Sequence, residues 1–179
     1  EDLFARHVYA SGKTGARIEH FESSEVKPAL GFEWKDGVAT EVTKEMRDER
    51  IKEARKAWKD THKEVAEDEK AQEKAGPFPY LTTLLLRRED DTPATIRIDF
   101  ADGTQETLTW DDDRLWYRAV LERPAKATKA VIDPDGLHRM DVNLLDNARS
   151  IEADKSASRR LGGDASALLQ TLLAFLVSL

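Results

Sequence analysis

The feature that most limits how this chain can fold is a change of hydrophobic period close to Gly76. From Val42 to Ala75 the sequence runs without Gly or Pro and carries 10 basic and 10 acidic residues. Opposite charges three apart, as in Glu49/Lys52, Glu53/Lys56, Asp60/Lys63 and Glu67/Lys70, would sit on neighbouring turns of a helix and support it. The apolar residues Ile51, Ala54, Trp58 and Val65 make one narrow seam with Trp58 at its centre. The spacing predicts one long charged helix lying on a surface.

From Pro77 to Val142 the period becomes 2, the signature of strands with one buried and one wet face. Ile96, Ile98 and Phe100 alternate with Arg97 and Asp99, and Asp102-Gly103 marks a tight reversal into Thr104–Trp110. Tyr80–Arg88, Leu115–Leu121 and Ala127–Asp133 read as further strands, with Asp133-Pro134-Asp135-Gly136 as a turn. Near the N-terminus, Phe4–Ala10 and Ala16–Glu22 flank a Gly-containing turn and read as a hairpin. Short strands at regular spacing predict a mainly β protein, an immunoglobulin-like antiparallel sandwich over residues 1–150 with a helical insertion at about residues 42–75. The N-terminal forty residues are open between part of that sandwich and the remnant of a preceding domain.

Residues 151–179 form a separate expected unit, in which Ala165–Leu179 is almost wholly apolar. A buried helix, an interfacial helix and the start of a membrane span are all open. The run is shorter than the roughly 20 residues a span requires, so docking on protein or on a second copy is the expected fate.

Composition removes several classes of function. A net charge of −7 argues against nucleic acid, because phosphate binding requires a concentrated basic surface. With no cysteine there is no disulfide framework, thiol nucleophile or thiolate zinc site. The chain begins at Glu1 with no signal-peptide pattern before its first strand-like segment, and a processed chain or an excised piece is the expectation.

Phe100-Ala101-Asp102-Gly103-Thr104, Trp110-Asp111-Asp112, Trp116, Val131-Ile132-Asp133-Pro134-Asp135 and the run Asp141–Ser150 occur in an order and spacing that carry a family likeness. Together they resemble the C-terminal, post-catalytic region of bacterial gluzincin metallopeptidases, the family that includes aminopeptidase N. Asp112 stands where that pattern has Gly, and Asp146 and Ala148 where it has Asn and Ser. The resemblance implies a sandwich domain following the catalytic and helical parts of a zinc peptidase, with the missing catalytic domain as partner and a periplasmic or membrane-associated location. Zinc would belong to that parent enzyme. Gluzincin chemistry requires H-E-x-x-H on a helix, and His7, His20, His62 and His138 supply no such pair, so no catalytic residue and no cofactor is expected in this chain.

Three tryptophans are candidate binding residues. Trp110 and Trp116 would stack on a sugar if displayed and fill the core if buried, and Trp58 would anchor the charged helix or dock on a missing domain. Asp141, Asn143 and Asp146 supply oxygens that suit calcium, but a network of side chains tying the last strand to its loop is the favoured reading, with Asp141 and Asn143 on one strand face. Asp111-Asp112-Asp113 is expected to be a solvated turn. The sequence thus points to a non-catalytic accessory domain of a zinc aminopeptidase-like protein, able to self-associate through residues 165–179. The alternatives are a free-standing module binding a protein or glycan and a membrane-anchored module.

Overall fold

The computed structural model describes residues 15–63, 70–137, 141 and 143–152. Its elements are β1 (Ala16–Glu25), β2 (Gly31–Lys35), β3 (Val38–Val42), α1 (Lys44–Thr61), α2 (Ala71–Ala75), β4 (Tyr80–Arg88), β5 (Ala94–Phe100), β6 (Gln105–Trp110), β7 (Trp116–Arg123), β8 (Ala127–Ile132) and β9 (Ala148–Ser150). The protein is mainly β, and all its strand pairs are antiparallel. One sheet has the order β1-β4-β7, another β6-β5-β8-β9, and β2-β3 is a hairpin on its own.

Alternation decides which side of each strand is dry. In β4, Tyr80, Thr82, Leu84, Leu86 and Arg88 face inward, and in β5 Ala94, Ile96, Ile98 and Phe100 do so. β1 breaks this rule with a bulge between Ile18 and His20. The extra residue shifts the parity of the strand, so Ile18 and Phe21, three apart, both reach the core. The buried side chains of the three- and four-stranded sheets form one hydrophobic cluster, in which Leu84, Leu86, Ile96 and Ile98 are fully enclosed. Truncating one of them to Ala would cost about 2–5 kcal/mol. Buried hydroxyls also cross between the sheets: Thr82 Oγ1 donates to Ser23 Oγ at 3.0 Å, and the same oxygen accepts from the Ala127 amide at 3.1 Å.

Strand registers place the connections at two opposite ends. Ala16 pairs with Arg88 and Arg87 with Trp116, while Ala94 pairs with Trp110 and Ile96 with Ile132. The β4–β5, β6–β7 and β8–β9 connections therefore gather at one end. The other end receives Glu25, Tyr80, Arg123, Phe100 and Ala127, hence the β5–β6 and β7–β8 turns and everything between β1 and β4. That insertion is closed at its base by the Val26 amide, which donates to the Pro79 carbonyl at 2.8 Å.

The inserted segment differs from the single helix expected over residues 42–75. It opens with a β-hairpin, continues as α1 and ends in the short α2, with residues 64–69 outside the described set. Thr43 caps α1 by accepting from the Met46 amide at 3.4 Å. Of the four expected ion pairs, Glu67/Lys70 reaches outside the described residues, and Glu49/Lys52, Glu53/Lys56 and Asp60/Lys63 do not form. The helix instead spends Arg50 on Glu33 (3.0 Å) and Arg55 on Glu25 (2.8 Å), tying it to the hairpin and to β1. The Phe4–Ala10 strand and the apolar Ala165–Leu179 segment lie outside the described residues.

Candidate functional site

The two ends differ in charge. At the end formed by the β4–β5, β6–β7 and β8–β9 connections stand Glu89-Asp90-Asp91, then Asp111-Asp112-Asp113, and then Asp133, Asp135, Asp141 and Asp146. Arg88 holds this acidic end together from beneath. Its side chain is 1% exposed, its guanidinium lies 4.4 Å over the Trp110 ring, and it donates to the carbonyls of Thr92 (2.9 Å), Trp110 (3.4 Å) and Asp112. Burial lowers the Arg88 pKa, and the Asp112 carboxylate opposes that shift. Asp112 itself is held below the usual carboxylate range, first by the hydrogen bond it accepts from the Arg114 side chain.

Trp110, the first tryptophan offered as a sugar platform, closes the core instead. It is 1% exposed, tilts against Tyr117 with ring centres 5.6 Å apart, and donates Nε1 to the Arg114 carbonyl at 3.1 Å. Trp116 is 49% exposed and carries the Arg87 guanidinium 5.5 Å from its ring. Trp58 is half-buried on α1 and stacks on His62 with centres 4.8 Å apart. The structure does not bring these three rings together. Trp110 and Trp116 lie at the acidic end and Trp58 on the insertion.

Asp141, Asn143 and Asp146 do come together, in a loop and not on a strand face. Asp141 Oδ1 accepts from the Asn143 amide (2.9 Å) and Oδ2 from Asn147 Nδ2 (2.6 Å), while Asn143 Nδ2 donates to Asp146 Oδ2 (2.8 Å). The flanking backbone joins both sheets, since the Ile18 amide donates to the Asp146 carbonyl at 3.1 Å and the Ile132 amide to the Asn147 carbonyl at 2.7 Å. The carboxylates are thus engaged in side-chain and backbone bonds of the kind that fixes a loop. Among the described residues no group of three or more His, Asp or Glu side chains is arranged to hold a metal ion. The neighbouring cleft lined by Arg88, Asp133, Asp141 and Asn147 has a volume of about 20 Å³, room for a single water molecule.

At the opposite, helical end the insertion displays what the core does not use. Asp36 and Gly37 both have positive φ, 53° and 80°, the geometry of a two-residue turn matched to strand twist. Strand alternation then puts Phe32 and Trp34 on one face of the hairpin, opposite the Glu33 side that bonds to α1. They are 71% and 75% exposed. The sequence reading passed over this pair, although Phe32 and Trp34 alternate with Glu33 and Lys35 into an Asp-Gly turn, which is a strong hairpin signal. Along α1, which buries no residue, Lys44, Lys52, Lys56 and Lys59 make no ion pair or hydrogen bond among the described residues. Lys52, Lys56 and Lys59 line a groove of about 660 Å³ with Lys27, Arg47, Arg55, Asp48 and Asp60, in which Lys27 and Arg55 pair with Glu25 and Arg47 with Asp48. The chain passes Glu152 at this same end, where Lys70 Nζ donates to its carboxylate at 2.7 Å and lowers its pKa.

No protein-family model, curated protein or solved structure matches this chain.

Proposed function

We propose that residues 15–152 form a non-catalytic accessory domain, an immunoglobulin-like sandwich, of a zinc aminopeptidase-like metallopeptidase, with an architectural role beside the catalytic part. The strand orders β1-β4-β7 and β6-β5-β8-β9, facing one core, support the sandwich reading, with the hairpin and helices inserted between β1 and β4. The observation that carries the functional reading is where the gluzincin-like residues fall. Asp102 accepts from the Thr104 amide at 2.9 Å to shape the β5–β6 turn, Trp110 sits beneath Arg88, and Asp141 and Asn147 bond each other at 2.6 Å. Arg149 reaches across to donate to the Glu19 carbonyl at 2.9 Å. These are duties of fold and corner, the kind that an architectural domain requires.

The test is the reading frame upstream of the codon for Glu1. An H-E-x-x-H motif with a distal Glu on a following helix, and a loss of peptidase activity when the segment encoding this domain is deleted, are the expected results. A frame without that motif overturns the enzyme reading. The second reading, a free-standing module for a protein or glycan partner, is favoured by the display of Phe32 and Trp34. Substituting both with Ser would abolish partner capture under that reading and leave a parent peptidase's zinc content unchanged under the first.

A further inference from the structure

We propose that the outer rim of β2 pairs with the same rim of a second copy of this chain, joining two hairpins into one four-stranded antiparallel sheet. Among the described residues β2 and β3 pair only with each other, and all five residues of β2 are exposed. The Asp36-Gly37 turn closes on Lys35 and Val38 as a hydrogen-bonded pair. Alternation then turns the N–H and C=O groups of Glu33 and Lys35 toward β3 and those of Phe32 and Trp34 outward, to a rim with no ladder partner among the described residues. Such a rim is a template. An identical strand laid antiparallel against it across a two-fold axis satisfies both copies at once.

Charge selects the second copy and the register. Centred on Trp34, self-pairing makes Trp34 and its counterpart a hydrogen-bonded pair and sets each Glu33 against Lys35 of the other copy. Moving the centre to Glu33 would oppose two carboxylates instead. Lys35 makes no ion pair or hydrogen bond among the described residues, and Glu33, which holds Arg50 at 3.0 Å, is still half exposed. The β3 rim has no such match, because Glu41 is its one charged residue and finds no cation in a second β3. On the face away from α1 the two Trp34 rings become cross-strand neighbours. Two molecules of net charge −7 also repel least at this end, where residues 26–79 set 12 basic against 13 acidic side chains. The ends bearing Glu89-Asp90-Asp91 and Asp111-Asp112-Asp113 stay free. Since the paired stretch is only a few residues long, the association is weak and depends on concentration.

The test is a charge-swap cycle on the full chain. Sedimentation velocity over a rising concentration series should show reversible dimers of the parent protein, and amide exchange at Trp34 should slow as they form. Lys35→Glu alone, which leaves the Glu33 contact with Arg50 in place, should weaken dimerisation about tenfold or more, and so should Glu33→Lys alone. An equimolar mixture of the two variants should recover it as a heterodimer, because each then offers the charge that the other lacks. Dimers indifferent to these substitutions would assign association to another segment, such as Ala165–Leu179, and overturn the proposal. So would a mixture no better than either variant, Trp34 exchange unchanged by dimer formation, or a parent protein monomeric at every concentration. Near-ultraviolet circular dichroism would establish that each variant keeps the fold, and the exchange readout on the parent protein requires no variant.

Discussion

Arg88 illustrates how a single charged side chain can be a packing residue. It ends the inward row of β4, where Leu84 and Leu86 precede it, and its guanidinium satisfies carbonyls from three points of the acidic end while covering Trp110. Arg88→Met would leave those buried acceptors unpaired and should cost about 2–4 kcal/mol, read as a lower urea midpoint. Arg88→Lys should recover little, because a compact ammonium cannot reproduce the planar fork. Asp112 gives a pH signature. Its pKa is lowered in the folded state, chiefly by Arg114, so its contribution is present above the unfolded pKa and is lost as pH falls through the folded value. Asp112→Asn should therefore lower the melting temperature on the neutral plateau and converge on the parent protein in acid, flattening the acid limb between them. Trp110 and Trp34 are the extremes of exposure among the tryptophans, at 1% and 75%. Acrylamide should quench Trp34 freely and leave a protected component that Trp110→Phe removes, and a Trp34→Phe protein that is still readily quenched to the same extent would contradict the hairpin's exposure.

Elements with one dry face are legible in the sequence. Ile96, Ile98 and Phe100 announce β5 because each sits opposite a wet Arg97 or Asp99, and Asp102-Gly103 ends it in a turn whose Gly103 has φ of +85°. The β2–β3 hairpin carries the same alternation, Phe32-Glu33-Trp34-Lys35 into Asp36-Gly37, but no face of it is dry: nine of its ten strand residues are exposed, so it stands outside the two-sheet core that the other strands announce. The helix over Val42–Ala75 was legible as a type but not in extent, since charge spacing says nothing about where tertiary contacts such as Lys126 to Glu73 (2.6 Å) take over. The bulge in β1 left no mark in the sequence, because it arises from how Ile18 and Phe21 are both drawn to the core. The hydrogen bond between Val26 and Pro79 makes the insertion separable in principle. Replacing residues 27–78 with a short Gly-Asn linker should leave a cooperatively unfolding two-sheet protein, weakened by about 1–3 kcal/mol through loss of the contacts of Tyr80 and Lys126 with α2. Chemical denaturation with a single transition is the expected outcome, and a molten, non-cooperative product would show that the insertion is part of the core.

At the scale of the molecule, short connections sort residues by end, and that sorting was invisible in a linear sequence. The acidic triplets at residues 89–91 and 111–113 are 20 positions apart but share one end because β4–β5 and β6–β7 both turn there. The candidate binding tryptophans are sorted in the same way, Trp110 and Trp116 to the acidic end and Trp58 to the insertion. Registers also explain a property of the outermost strand. Along β1 the side away from β4 is occupied: the Ile18 amide gives its proton to Asp146, and Arg149 takes the Glu19 carbonyl beside the bulge. Over that stretch β1 offers no template to a neighbouring molecule, and at the other rim of its sheet β7 exposes Arg118, Glu122 and Arg123, which discourages strand addition there. The three-stranded sheet is thus guarded at both rims, which leaves β6, the short β9 and the lone β2–β3 hairpin with its exposed Phe32 and Trp34 as the margins at which a fibre would have to start.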